Sequence, residues 1–533
     1  MLVSGDWVVP RLDGMDYFEK PVLGYWAIAT SMSVFGETPF AARLPSAIGI
    51  ALSALALLYL LRRRDDTWLG PLAALILLTS LGVIALGTTA ILDGFFTGWV
   101  TLAIASVFVF LEGPDDRRAL TPLILTGVAT GLAFLTKGFL ALVIPALAVG
   151  PYLIIRRSVL RFLRWSWVPL VAATAVALPW SLAVARQSDF WTYFFWVEHV
   201  QRFLEPAETQ HVEPWWYYLP AFLLMVLPWI TAAPTAISGL RRIETSTHRR
   251  LRLFAFCWMA GPLLFFSVSS GKLIPYILPC IPPAALLLAI GLRKETRSGH
   301  QSSLTFASIV SAGIGVILVG AVLVLMYGRT DDPNVIAIVE NRWLLGGLLT
   351  GALGWPAAAG ASLFFKDHTK KLVAFALSPV LFTIPVLLTL DEPLVKTPEN
   401  LIERHRNLMG PDTIIVGDRN TVQALCWQLK RTDIEVFGSA GEFQYGLDQT
   451  DGRQLLDIGD LSHMVTSSSV PVIAVLERGQ WERSRTSLPT PLVEDGDRRF
   501  VLVNLTSDSS VDRMADSHDD SPRNASHPSR PGN

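Results

Sequence analysis

Runs of about 17–25 apolar residues, the length that crosses a bilayer core, recur along the chain. Twelve candidates lie at about 44–62, 68–86, 94–111, 121–136, 138–155, 168–186, 217–237, 252–269, 274–292, 304–326, 343–364 and 371–390. The fourth and fifth are short and meet at Thr136-Lys137-Gly138, where the chain must reverse tightly. Residues 21–40 predict an amphipathic helix along the membrane interface. Past 390 the pattern changes to short apolar runs, Thr413–Val416, Ile434–Phe437, Val470–Leu476 and Phe500–Val503, separated by turn residues. With the helix-like stretch Thr421–Leu429 they predict a small α/β domain. Residues 507–533 have almost no apolar content and predict a disordered tail. The predicted organisation is a loop with an interfacial helix (1–43), a membrane domain (44–390), an α/β domain (391–506) and the tail.

Composition sharpens this picture. Of 533 residues, 51% are hydrophobic and 17% charged, where a soluble domain carries about 25% charged residues. Mean hydropathy is +0.42. These values exclude a disordered chain, a coiled coil and a basic nucleic-acid binder, so the expected partner is the membrane and not nucleic acid. Seventeen Trp and 27 Phe suit many membrane interfaces. Three Cys exclude a disulfide framework.

Charge sets the orientation. Alternate loops hold 20 cations, including Arg62-Arg63-Arg64, Arg156-Arg157 and Arg249-Arg250, while the intervening loops hold six: Lys137, Arg186, Arg202, Lys272, Arg329 and Arg342. The positive-inside rule puts the first set in the cytoplasm. Residues 1–43, 187–216 and everything past 390 then face outward. No hydrophobic segment precedes residues 1–43, so a translocated start predicts a further transmembrane helix upstream of Met1.

The few charges on the outer side are the candidate chemistry, because charge at apolar helix ends is costly unless paired or functional. Glu19 and Lys20 lie in Tyr17-Phe18-Glu19-Lys20-Pro21, either as an exposed ion pair or as a metal carboxylate and a phosphate-binding ammonium. Asp93 sits in an otherwise uncharged loop, as an N-cap for a helix starting at Gly94, as a group facing a cavity, or as both. Glu198, His199 and Arg202 follow Phe194-Phe195-Trp196. They form a solvated pair on an aromatic interfacial helix, or a metal ligand (His199) and a phosphate grip (Arg202). Ser269-Ser270-Gly271-Lys272 lacks the spacing of a nucleotide phosphate loop; Lys272 and Tyr276 suit either snorkelling anchors or a lipid phosphate. Lys137 is a charge at a membrane reversal.

In this order the motifs resemble one family. Gly5-Asp6-Trp7, Tyr17-Phe18-Glu19-Lys20-Pro21 and Gly24-Tyr25-Trp26 are similar to the first extracytoplasmic loop of the bacterial lipid A 4-amino-4-deoxy-L-arabinose transferases. These are polyprenyl-phosphate-sugar glycosyltransferases of the GT-C fold, related to protein O-mannosyltransferases. Leu92-Asp93, Thr136-Lys137-Gly138-Phe139, Phe194–Phe203, Gly271-Lys272-Leu273, Leu425-Cys426-Trp427-Gln428-Leu429 and Gly441-Glu442-Phe443 match as well, so the resemblance covers about 2–505. It implies an α-helical polytopic membrane protein of the GT-C fold with a C-terminal extracytoplasmic α/β domain, in the bacterial inner membrane. It also implies transfer of a sugar from undecaprenyl phosphate to lipid A or another periplasmic acceptor. Asp93 and Glu19 are then the candidate catalytic carboxylates. Lys20, Arg202, Lys272 and Tyr276 contact the carrier phosphate, and a divalent metal, Zn or Mg, sits near Glu19 and His199. The family's acidic Asp-Glu motif falls before Met1, so that motif is expected upstream with the additional helix. The competing expectations are a related transferase with another acceptor, a truncated inactive homologue, and a lipid-linked sugar transporter. Against the last, the spans carry no mid-membrane charges and no inverted repeat.

Overall fold

The structure is a computed structural model that describes residues 1–62, 66–113, 120–201, 212–242, 246–269, 271–297, 302–328, 333–389 and 397–506. It divides into two compact units, Met1–Pro10 with Phe18–Leu394, and Arg11–Tyr17 with Val395–Asn533.

The first unit is helical. Among the described residues nine helices are long and apolar enough to span a membrane, or eleven if each of two sharply bent pairs is one span. It begins with α1 (Leu23–Phe35) and α2 (Pro39–Leu61). The α2 helix starts earlier than the apolar run at 44 because the Thr38 side chain caps Ala41 N–H and Pro39 occupies the first turn. Next come α3 (Leu69–Leu78) and α4 (Leu81–Gly87), bent by 64°, where one straight span was expected over 68–86. The run at 217–237 is likewise bent, by 93°, between Tyr218–Met225 and Trp229–Arg241. A break at membrane depth frees main-chain groups that need partners. The two breaks supply each other: Leu81 N–H donates to the Leu227 carbonyl at 2.8 Å, and Trp229 Nε1 donates to Thr79 Oγ1 at 2.9 Å.

The next three helices carry the site: α5 (Leu92–Glu112), α6 (Leu120–Lys137) and α7 (Leu140–Ile155). The α7 helix has 16 residues, shorter than a full span, as the short fifth run foreshadowed. The reversal between α6 and α7 turns on Gly138, whose φ of 66° places it in the left-handed region and whose N–H bonds the Phe134 carbonyl. Small residues press α2 onto α5: a Cβ on Gly98 would stand 2.5 Å from the Gly49 carbonyl oxygen, and one on Gly94 would stand 2.2 Å from Ser46 Oγ. The start of α5 is therefore fixed by backbone-to-backbone packing.

The second unit is an α/β domain. Its sheet has β3 (Ile414–Asp418), β4 (Glu435–Phe437), β5 (Val472–Glu477), β6 (Val493–Gly496) and β7 (Phe500–Asn504) in the order β4-β3-β5-β7-β6. The pairs β3–β4 and β3–β5 are parallel, while β7 runs antiparallel to β5 and β6. Four strands and the helix Val422–Leu429 fall on the runs predicted from sequence. The period of two is visible in β5, where Ile473 and Val475 enter one core while Val472, Ala474 and Leu476 enter the other. A hairpin from the N-terminal region, β1 (Arg11–Leu12) and β2 (Met15–Asp16), belongs to this unit, with Met15 in the first of those cores.

Candidate active site

At one end of the helical unit an aromatic cluster gathers motifs that lie far apart in sequence. Phe18 is 1% exposed and packs edge-on against Phe190 at 5.2 Å and Tyr193 at 6.3 Å. Phe190 stacks on Phe194 at 4.9 Å. Phe194 stacks on Phe139 at 6.2 Å, and Phe139 meets Phe134 at 5.4 Å. The residue beside Glu19-Lys20, the α6–α7 reversal beside Lys137, and the run leading to Glu198 and His199 thus share one apolar anchor. Trp180 Nε1 donates to the Val8 carbonyl at 2.9 Å and fastens the preceding loop to the same cluster.

Lys137 and Asp93 form a buried ion pair, Nζ to Oδ1 at 2.7 Å, with side chains 9% and 12% exposed. Asp93 lies in the first turn of α5 and Lys137 ends α6, so each charge sits where the helix dipole favours it. Ile91, not Asp93, occupies the N-cap, and Asp93 is free of the capping role. The Lys137 ammonium also lies over the Tyr276 ring at 5.5 Å and near the Phe96 ring at 6.0 Å. This brings Asp93, Lys137 and Tyr276 together. The start of α1 packs there too, since a Cβ on Gly24 would stand 2.4 Å from Leu92 Cδ2. A short link joins α1 to Glu19 and Lys20, where Lys20 Nζ lies 3.7 Å from Glu19 Oε2 and donates to the Glu19 carbonyl at 2.6 Å.

Lys272 is 3% exposed and its ammonium bonds the carbonyls of Glu213, at 2.7 Å, and Ser269. With the Val212–Gly271 bridge and the Tyr218 hydroxyl on the Leu273 carbonyl at 3.1 Å, it clasps two loops together. Of its three donors, two hold main chain. Arg202 lies outside the described residues, as do the side chains of Glu198 and His199. Among the described residues no group of three or more His, Cys, Asp or Glu is placed to hold a metal ion. Glu19 stands beside an ammonium, so the described donors do not by themselves form a metal site.

Two placements were not expected from sequence: the Phe18 anchor, and the transfer of residues 11–17 to the other unit. The Asp13-Gly14 pair was a signal for the second, because it is a two-residue hairpin turn with φ of 53° and 74°.

The chain is similar to known proteins over most of its length. Residues 19–182 match the family model for dolichyl-phosphate-mannose-protein mannosyltransferase, and 394–504 match that for the C-terminal domain of arabinosyl transferase ArnT. An undecaprenyl phosphate-alpha-4-amino-4-deoxy-L-arabinose arabinosyl transferase from Pectobacterium carotovorum subsp. carotovorum is 36% identical over 516 residues, covering 94% of this chain and 91% of its own. One from Yersinia enterocolitica is 35% identical over 502 residues, covering 92% and 89%. Among solved structures, ArnT from Cupriavidus metallidurans bound to undecaprenyl phosphate is similar with a TM-score of 0.83 at 22% identity, covering 95% of this chain and 92% of that one.

Fold and site together define a multi-pass membrane glycosyltransferase of the GT-C class. The chain belongs to the undecaprenyl phosphate-alpha-4-amino-4-deoxy-L-arabinose arabinosyl transferase family, whose members are glycosyltransferases with a lipid-linked donor.

Proposed function

We propose that the protein moves 4-amino-4-deoxy-L-arabinose from undecaprenyl phosphate to a phosphate of lipid A, on the periplasmic face of the bacterial inner membrane. The α/β unit is periplasmic in this reading. The observation that carries it is the convergence of the Phe18, Asp93, Lys137, Phe194 and Tyr276 motifs on one aromatic and charged cluster.

In the reaction the bond between the sugar's anomeric carbon and the carrier phosphate oxygen breaks, and a bond from that carbon to an acceptor phosphate oxygen forms. Negative charge builds on the departing phosphate. Lys20, Arg202 and the Tyr276 hydroxyl are the groups we assign to it, because donors aimed at developing charge carry much of such catalysis. Lys272 shapes this wall through the loops it clasps. The acceptor phosphate is already anionic at neutral pH, so it needs positioning more than deprotonation. Asp93, held by Lys137, and Glu19 are the carboxylates that orient the sugar and acceptor. Zn or Mg on Glu19 and His199 is part of this proposal, and no step above depends on it.

Mass spectrometry of lipid A from a deletion strain tests the reading, under conditions where wild-type cells carry the modification. The expected result is loss of the pentosamine increment, restored by the gene in trans. Unchanged lipid A overturns the acceptor assignment. Chelation of the purified protein tests the metal: transfer lost and regained with Zn or Mg supports it, and undiminished transfer in chelator removes it.

A further inference from the structure

The hairpin Arg11–Asp16 is wired into the α/β unit by charge and main chain together. The Asp13 side chain is fully buried and ion-paired with Arg453 at 2.9 Å, and it accepts the Ile434 N–H at 3.0 Å. Arg453 also donates to the carbonyls of Asp13, Ile434 and Thr432. Tyr17 closes the segment by donating its hydroxyl to Glu442 Oε2 at 2.8 Å. Both flanks of the hairpin are fixed in the helical unit. On one side Trp26 and Trp180 hold the carbonyls of Trp7 and Val8; on the other Phe18 is buried among Phe190 and Tyr193. Glu19 and Lys20 follow at once. Five residues lead from Val8 to Asp13 and five from Asp13 to Phe18, so each covalent link between the units can span at most about 18 Å.

We infer that this docked hairpin is a positioning element for the Glu19-Lys20 segment, with Asp13 and Arg453 as its positioning residues. The inference rests on the proposed transfer site only in taking Glu19-Lys20 as part of it. It assigns a role to the α/β unit: that unit sets the seating of the carrier-phosphate loop through the covalent chain.

The full-length protein in lipid nanodiscs tests it, with undecaprenyl phosphate binding and sugar transfer to lipid A as separate readouts. Two glycines inserted between Tyr17 and Phe18 add slack without altering the latch. The expected result is carrier binding and kcat each reduced at least about tenfold, the scale of a small misplacement, with the melting of the α/β unit unchanged. Arg453→Met should give the same loss. Leu461→Ala, in the opposite core of the unit, should lower its melting temperature with little effect on binding. The variant Asp13→Cys places a thiol beside Cys426, whose Sγ lies 3.5 Å from Asp13 Oδ1. Copper–phenanthroline would oxidise the two thiols to one disulfide, taking up two electrons and releasing two protons, and binding lost in the reduced variant should return. Wild-type-like binding in the glycine insertion, or equal losses in Leu461→Ala at matched destabilisation, overturns the inference. A wild-type protein that binds carrier but leaves lipid A unmodified refutes the proposed acceptor, while the insertion still decides the coupling through binding.

Discussion

Asp93 and Lys137 are 44 residues apart in sequence and share one buried contact. Removing one partner of such a pair leaves an uncompensated charge, at a cost of about 3–5 kcal/mol. Lys137→Met is therefore expected to abolish transfer and to lower the melting temperature of the purified protein. The double change Asp93→Asn with Lys137→Met should recover much of the stability and none of the activity; recovered transfer would show that the pair is only structural. Each charge was legible as an outlier against apolar sequence, but their pairing was not, because no local spacing connects α5 to the end of α6. Asp13 offers a second test at this scale. Burial pushes its carboxyl up to about 6, against the pull of Arg453 and the Ile434 N–H. An unfolded Asp titrates near about 3.9, so the folded α/β unit takes up a proton between those values. Its stability contribution from Asp13 is greatest below that window and falls as pH rises through it, by roughly 3 kcal/mol in all. Hydrogen exchange on β3 and β5 at pH 4.5 and 7 should show a smaller wild-type advantage over Asp13→Ala at the higher pH. An unchanged advantage would contradict the direction of the shift.

Elements show where periodicity sufficed and where it failed. A long apolar run announces a span, and among the described residues nine of the twelve runs each coincide with a helical segment long and apolar enough to cross a membrane. The bends within 68–86 and 217–237 were not legible, because each is stabilised by the other through the Leu81–Leu227 and Trp229–Thr79 bonds. Sequence patterns of one segment hold no record of a partner segment 150 residues away. The α2–α5 contact makes a prediction. Gly49 and Gly98 have no space for a side chain, so Gly98→Leu must separate the helices, at a cost of about 1–3 kcal/mol or more from overpacking. Since Asp93, in the first turn of α5, lies only five residues earlier, transfer should fall while carrier binding through Lys20 is less affected. Comparing kcat with carrier affinity for Gly98→Leu and Gly98→Ala checks this; equal loss of both would mean that the bundle as a whole has failed.

For the whole molecule the net charge of −1 conceals a division. Residues 1–390 carry 29 Lys and Arg against 22 Asp and Glu, while 391–533 carry 15 against 23. The excess of cations sits in alternate loops of the helical unit, and the acidic excess lies in and beyond the α/β unit. That asymmetry orients the chain, since short cationic loops are retained in the cytoplasm whereas long domains cross largely regardless of charge. By that rule the loops with Arg156-Arg157 and Arg249-Arg250 are expected on the cytoplasmic side, and residues 1–43, 187–216 and those past 390 on the other. An alkaline phosphatase fusion after Thr506 should accordingly be active and a green fluorescent protein fusion at the same point dark, with the reverse for fusions in the loop after Ile155. Glu19, Lys20 and Lys272 would then face the compartment where a lipid-linked sugar is used and no nucleotide is available, in line with the absent phosphate-loop spacing at Gly271-Lys272. A bright fluorescent fusion after Thr506 would invert the topology and leave the proposed periplasmic acceptor out of reach of the site.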